Sequence, residues 1–213
     1  QYLIMNKILD IKRILPIIAI LALSAQGGFS QSSYDILRKA AAKIEAARGV
    51  QCSFTLKSGE HSTDGTLKSQ GEKFHLQTPV STTWYDGNRM WVLNPSTHET
   101  TLYIPDTEEV LEVNPMAYLR NFSKDYFSAF SKKKADGKHI VLLNPRKKGG
   151  QIRAIEITVD ATTFLPEKFI VRTMDNKRTY LTIRSLRLDA SYPSSTFTYP
   201  ASSYKDYLVI DLR

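Results

Sequence analysis

The chain has 213 residues, 42% hydrophobic and 23% charged, with a formal net charge of +8 and one cysteine. This is ordinary composition for one domain with a substantial core, and it excludes a disordered, collagen-like or disulfide-built chain. A moderate basic excess without a recognition motif gives no support for nucleic-acid binding.

Taken in chain order, Met5 is followed by Lys7, Lys12 and Arg13, then by the apolar run "ILPIIAILAL" from Ile14 to Leu23 and by small and polar residues through Gln31. That order reads as a secretory signal peptide. The apolar run is about ten residues, half the roughly 20 that a bilayer crossing needs, and Pro16 interrupts it. Cleavage after Ser24 or after Ser30 fits equally, and the residues before Met5 read as translated upstream sequence. Residues 1–30 are therefore set apart from a single domain over 31–213, expected to be exported. Loss of the leader's three cations and one anion lowers the net charge from +8 to about +6. No cysteine stands directly after the apolar run to carry a lipid anchor, so a soluble product is expected. Cys52 lies in the alternating stretch "VQCSFTL" and reads as a half-buried, inert strand position.

"SSYDILRKAAAKIEAARG" (32–49) opens on a serine suited to an N-cap and closes on Gly49, with Ile36, Leu37, Ala40, Ile44 and Ala47 at helical spacing. One amphipathic helix is predicted. From Val50 the period becomes two. Asp64-Gly65, Gly71, Asp86-Gly87, Asn94-Pro95, Asn144-Pro145, Gly149-Gly150 and Asp175-Asn176 fall between apolar segments and read as the turns of antiparallel hairpins. In "AIEITVD" Ile155, Ile157 and Val159 share one face, and the shift from Leu181 and Ile183 to Leu186 and Leu188 predicts a bulge near Ser185. "NPMAYLRNFSKDYFSAF" (114–130) interrupts the strands. Asn114 suits a cap, Pro115 a first helical position, and Met116, Leu119, Phe122, Tyr126 and Phe130 recur at three and four, which predicts a helix with an aromatic face, with a break near Ser123 as the alternative.

The basic runs "SKKKADGKH" (131–139) and "NPRKKGG" (144–150) read as solvated loops or strand ends, with an anionic docking patch as the sharper alternative. His61, His75, His98 and His139 are scattered, and no metal, nucleophile-elbow or phosphate-loop motif is present. Asp106 and Glu108-Glu109 read as a polar turn, not a catalytic pair. No enzyme activity and no cofactor are expected. A sheet of around ten strands with one oily face and two helical segments is expected to leave an apolar hollow. The alternative for Trp84, Trp91, Leu93, Leu102 and Ile104 is an ordinary packed core.

The order of helix, "SFT", hairpin, Phe74 in "EKFHL", "YDGNRMWVLNP", "TTLY", helical segment, strands and a terminal "FTYP" resembles the periplasmic lipoprotein carrier family called LolA, over nearly all of residues 33–205. The resemblance implies an α+β fold, mainly antiparallel β: an unclosed half-barrel with helices covering its concave face. It also implies carriage of lipoprotein acyl chains from inner to outer membrane without bond chemistry. Acylated lipoproteins or lipids would be the cargo, and an inner-membrane release complex and an outer-membrane acceptor the partners of a monomer. By position, Phe74, Trp91, Leu93, Met116, Leu119 and Phe122 are then the expected lipid contacts, while Phe197 and Pro200 match the family's C-terminal motif. One departure concerns the lid: the family's Arg-Pro pair before the strand aromatic is Gln70-Gly71 here. An envelope sensor or adaptor on the same scaffold, or a glycolipid-binding protein, is the alternative; a chain ending soon after "YLVIDLR" favours the carrier.

Overall fold

The computed structural model describes residues 31–114 and 116–213. The leader, its cleavage site and Pro115 lie outside the described residues. Helix α1 (Ser33–Ala46) starts where the cap chemistry requires: Ser32 Oγ accepts from the Asp35 amide at 3.1 Å, and the Asp35 carboxylate accepts in return from the Ser32 amide. Ile36, Leu37, Ala40 and Ala41 form its buried stripe.

Twelve strands then form one sheet: β1 (Val50–Ser58), β2 (His61–Gln70), β3 (Lys73–Gln77), β4 (Thr82–Tyr85), β5 (Met90–Asn94), β6 (Glu99–Tyr103), β7 (Tyr126–Phe130), β8 (Lys138–Pro145), β9 (Ile152–Asp160), β10 (Pro166–Thr173), β11 (Arg178–Arg187) and β12 (Leu208–Asp211). Their spatial order is β12-β6-β5-β4-β3-β2-β1-β11-β10-β9-β8-β7, so β12 and β7 are free edges and the sheet is unclosed. Every pairing is antiparallel except that of β12 with β6. Between β6 and β7 lie α2 (Thr107–Val113) and α3 (Ala117–Asp125). The fold is the expected α+β half-barrel.

Several predicted turns sit where their chemistry places them. Asp86 Oδ1 accepts from the amides of Asn88 and Arg89 at 2.9 and 2.7 Å while Gly87 takes φ +98°, which closes β4 onto β5. The bulge is also present: Ser53 opposes Ser185 but Phe54 opposes Ile183, leaving Arg184 as the extra residue.

Four local expectations are corrected. Asp64-Gly65 is not a turn but the middle of β2, and β1 turns at Gly59-Glu60. Gly65 opposes Phe54, and a Cβ there would lie 2.3 Å from the Phe54 ring, so the glycine makes room for an aromatic. The predicted helix over 114–130 stops at Asp125, and Tyr126–Phe130 becomes edge strand β7 on β8. A five-residue aromatic stretch fits either period, and the partner offered by β8 decides it. The polar turn at Asp106 is a helix start: Asp106 Oδ1 accepts from the Glu109 amide at 2.9 Å, and Glu109 Oε2 accepts from the Asp106 amide at 2.8 Å. Finally, the oily face is covered by three helices instead of two and its interior is filled, with Phe74, Phe169, Leu119, Ile155 and Ile157 among the fully enclosed side chains.

Gly49 shows how tightly the end of α1 is set against the C-terminal return. A Cβ on it would lie 2.5 Å from the Ala190 carbonyl oxygen, a backbone atom that cannot swing aside, and the Ala190 amide donates to the Gly49 carbonyl at 3.0 Å. Gly49→Ala is expected to cost about 1–3 kcal/mol, read as a lowered denaturant midpoint with an unchanged slope.

Candidate lipid-binding site

Alternation along the strands sorts the apolar side chains into two groups. Phe74 on β3, Met90 on β5 and Phe54, Phe169 and Leu181 elsewhere in the sheet face the helices and belong to the main core. Trp84, Trp91, Leu93 and Leu102 belong to a second cluster. Register explains the split: Trp84 opposes Trp91 and Trp91 opposes Leu102, one residue out of step with Phe74, Tyr85, Met90 and Tyr103.

The helix-covered side is the candidate site. Asn114 is buried; its side-chain oxygen accepts from the Met116 amide at 3.2 Å and its carbonyl from the Ala117 amide at 2.9 Å, which sets the start of α3. Ala117, Tyr118, Leu119 and Phe122 then line the inner face of α3, while Arg120, Ser123 and Lys124 look outward. Phe122 meets Tyr34 of α1 with ring centroids 5.3 Å apart, and Tyr118 meets Tyr126 edge-on at 6.2 Å. Below them Phe74 packs on Tyr85 at 5.2 Å, and the Tyr103 hydroxyl donates to the Met90 sulfur at 3.1 Å.

Phe74, Met116, Leu119 and Phe122, four of the six expected lipid contacts, are thus brought together, each no more than 7% exposed. Trp91 and Leu93 are not. They lie on the other face, beneath Tyr199, Tyr204 and Tyr207 of the C-terminal segment, with the Arg89 guanidinium 5.1 Å from the Trp91 ring. Trp84 stands edge-on to Tyr199 and Tyr204 at 5.5 and 5.9 Å. Phe197 is enclosed at 1% exposure and set edge-on to Tyr192.

The expected hollow is occupied by side chains. A cavity of about 10 Å³ bounded by Ala41, Ile44, Ser69, Met116, Leu119 and Arg120 remains between α1, α3 and β2. That is room for about one water, not an acyl chain. Electrostatically the interior is quiet. Burial pushes the Tyr126 phenol up to about 12, with Asp125 and Glu108 adding repulsion, and burial likewise pushes the Cys52 thiol up to about 12 against a hydrogen bond from the Leu67 amide. Among the described residues no three His, Cys, Asp or Glu side chains gather where they would hold a metal ion.

The lid contact that sequence reasoning missed is Arg120. Its guanidinium Nη2 donates to the Gly71 carbonyl oxygen at 2.6 Å, tying the outer face of α3 to the β2–β3 turn. Gly71 has φ +57°, a conformation that suits glycine. Gln70-Gly71 thus supplies an acceptor where the family pattern has a cation, and the cation stands on the helix instead. A lone Arg on the polar side of an amphipathic helix carries no sequence signal for such a role.

The family described as outer membrane lipoprotein carrier protein LolA matches residues 23–175, most of the chain. The chain belongs to this family. Among solved structures, an uncharacterized conserved protein from Thermus thermophilus superposes with a TM-score of 0.55 at 11% identity, over 84% of this chain and 98% of that one. A LolA superfamily protein from Nitrosomonas europaea gives 0.45 at 13% identity, over 79% and 98%. MucB of Pseudomonas aeruginosa, in complex with MucA, gives 0.40 at 11% identity, over 79% and 61%. At these identities the Thermus likeness shows the fold alone. No curated protein matches the chain. The half-barrel with helices on one face is the LolA-like fold, and here the helices pack directly on the sheet.

Because Cys52 is buried with its thiol pushed up to about 12, it is expected to resist iodoacetamide at pH 8 in the folded protein and to react at once in guanidinium. Rapid labelling of the folded chain would mean that the covered face opens far more readily than its packing implies.

Proposed function

We propose that this LolA-family chain is a periplasmic carrier that takes the acyl chains of lipoproteins onto the helix-covered face of its sheet and conveys them from the inner to the outer membrane. The observation that carries the reading is the apolar layer between α3 and the sheet, in which Phe74, Met116, Leu119 and Phe122 meet under a short helix. On its outward side that helix is tied to the β2–β3 turn by the Arg120–Gly71 bond. An acyl chain in water costs about 0.8 kcal/mol for each exposed CH₂, so transfer between membranes needs an apolar shelter.

Since the interior is full, loading is an exchange. The acyl chains take the space of Met116, Leu119 and Phe122 as α3 swings away, so one apolar surface replaces another and the net change stays small enough to reverse. The Arg120–Gly71 bond breaks at each opening. Asn114 and Tyr126, at the two ends of α3, mark where the backbone would turn. The release complex that loads such a carrier and the acceptor that empties it belong to the same proposal.

The test has two parts. Protein purified from the native envelope in mild detergent is expected to carry acylated protein at one-to-one stoichiometry in native mass spectrometry. With a fluorescent triacylated peptide, Arg120→Ala is expected to accelerate uptake several-fold, and Trp91→Phe to leave uptake unchanged. An empty protein, or uptake that follows Trp91 and ignores Arg120, would sink the proposal. Recovery of glycolipid or of an unacylated protein partner would point instead to the glycolipid-binding or sensor role.

A further inference from the structure

The sheet face away from the helices carries a cleft of different chemistry over β8–β11. Ile155, Ile157, Phe169 and Leu181 face the helices, so Glu156, Ile170, Arg172 and Tyr180, one residue out of step, face the other way. With Arg178, and with Lys133 from the segment after β7, they line a cavity of about 60 Å³. At about 10–15 Å³ for each water, this holds at least about four water-sized groups.

Two observations show what that space lacks. Arg172 and Arg178 are direct cross-strand partners on the last paired rung before the β10–β11 turn, so both side chains leave the same face of the sheet and line the same cavity. Like charges in such a pair repel unless an anion lies between them. The Nε of Arg172 is also buried and has no hydrogen-bond partner within the chain, which leaves this donor to a water or an anion.

The nearby acids are already engaged. Both oxygens of Glu156 accept from Lys133 Nζ at 3.0 Å. At the hairpin tip the Asp175 carboxylate is held by Lys177 at 2.8 Å, while Arg153 donates to Asn176 at 2.7 Å. Lys133, Arg172 and Arg178 against Glu156 leave two positive charges on the lining. Lys168, with its Nζ 5.4 Å from the Tyr180 ring centroid, adds to the same potential.

We propose that this cleft binds a phosphate group, gripped between Arg172 and Arg178. A phosphate has the four oxygens the space admits and the charge the lining lacks, and its oxygens accept in pairs from the planar guanidinium fork. Phosphate is the shared chemistry of an anionic lipid headgroup and of a soluble phosphomonoester. The site lies on the opposite face from α3, so it needs no lid movement and stands apart from the carrier reading.

The experiment uses the full chain in phosphate-free buffer at constant ionic strength. Inorganic phosphate is titrated while the arginine Nε–H and backbone amide signals are followed by NMR. Sedimentation with phosphatidylcholine vesicles, with and without phosphatidylglycerol, is then measured in the presence and absence of glycerol 3-phosphate. A saturable shift of the Arg172 Nε–H and of the Ile170 and Tyr180 backbone amides is expected, the amide response weakened about tenfold or more in R172Q/R178Q and unchanged in a K147Q/K148Q loop control. Arg178→Gln alone, at an exposed strand end, should give an intermediate loss. Because the double variant removes a repulsion, its Tm without phosphate should equal or exceed that of the wild type. Sedimentation with phosphatidylglycerol vesicles that glycerol 3-phosphate reverses identifies a headgroup as the source, and phosphate binding without vesicle binding identifies a soluble ligand. Absence of a saturable phosphate response, or equal losses in the arginine and lysine variants, overturns the proposal.

Discussion

An unclosed sheet cannot bury its own apolar faces, and over β3–β6 both faces are apolar. Everything else in the fold answers that constraint. A closed barrel would seal one face inside; here Phe74 and Met90 must find cover on one side, while Trp84, Trp91 and Leu102 must find it on the other. The helices α1–α3 supply the first cover and the tyrosines of the C-terminal segment the second.

The two covers differ in how they are held. The C-terminal segment interlocks aromatics with the tryptophans and continues into β12, which pairs along β6 from Leu208 to Asp211. It is part of the sheet's own hydrogen-bonding scheme. By contrast, α3 shares no ladder with the sheet; it rests on side-chain packing, a start set by Asn114, an outward bond from Arg120 to Gly71 and, at its last residue, the Arg146 amide donating to the Asp125 carbonyl at 2.8 Å. Packing against an apolar surface is the one kind of contact that an acyl chain reproduces without loss, because dispersion and the hydrophobic effect have no direction. On the proposed carrier reading α3 is the cover that exchanges with lipid, and the apolar stretch around Trp91, equally oily in sequence, is the fixed half.

Much of this was legible along the chain, for local reasons. The start of α1 is carried by Ser32 and Asp35, the β4–β5 turn by Asp86 and Gly87, and the buried face of β9 by Ile155, Ile157 and Val159. In each case the residues that create the structure are neighbours in sequence. The beginning of α2 carried a local signal too, the Asp106 and Glu109 spacing typical of helix starts, but with only a short run after it the same residues read as a polar turn. Gly65 was not legible, because a glycine that admits an aromatic ring from the next strand has the same local signature as one that turns the chain. The stretch from Tyr126 to Phe130 was ambiguous in itself and took its conformation from β8.

Periodicity in the amino-acid order settles that Trp91 and Leu93 share a face, that Met90 takes the other, and that the chain alternates between strands and amphipathic helices. Those are relations between near neighbours, fixed by the two-residue and 3.6-residue repeats of the backbone. Which face of β5 meets the helices, how completely three helices fill the space above the sheet, that Arg120 reaches Gly71 and that Arg172 stands opposite Arg178 all join residues far apart in sequence or depend on strand register. Only tertiary packing decided them, since a strand's alternation is symmetric between its two sides until something is laid against one of them.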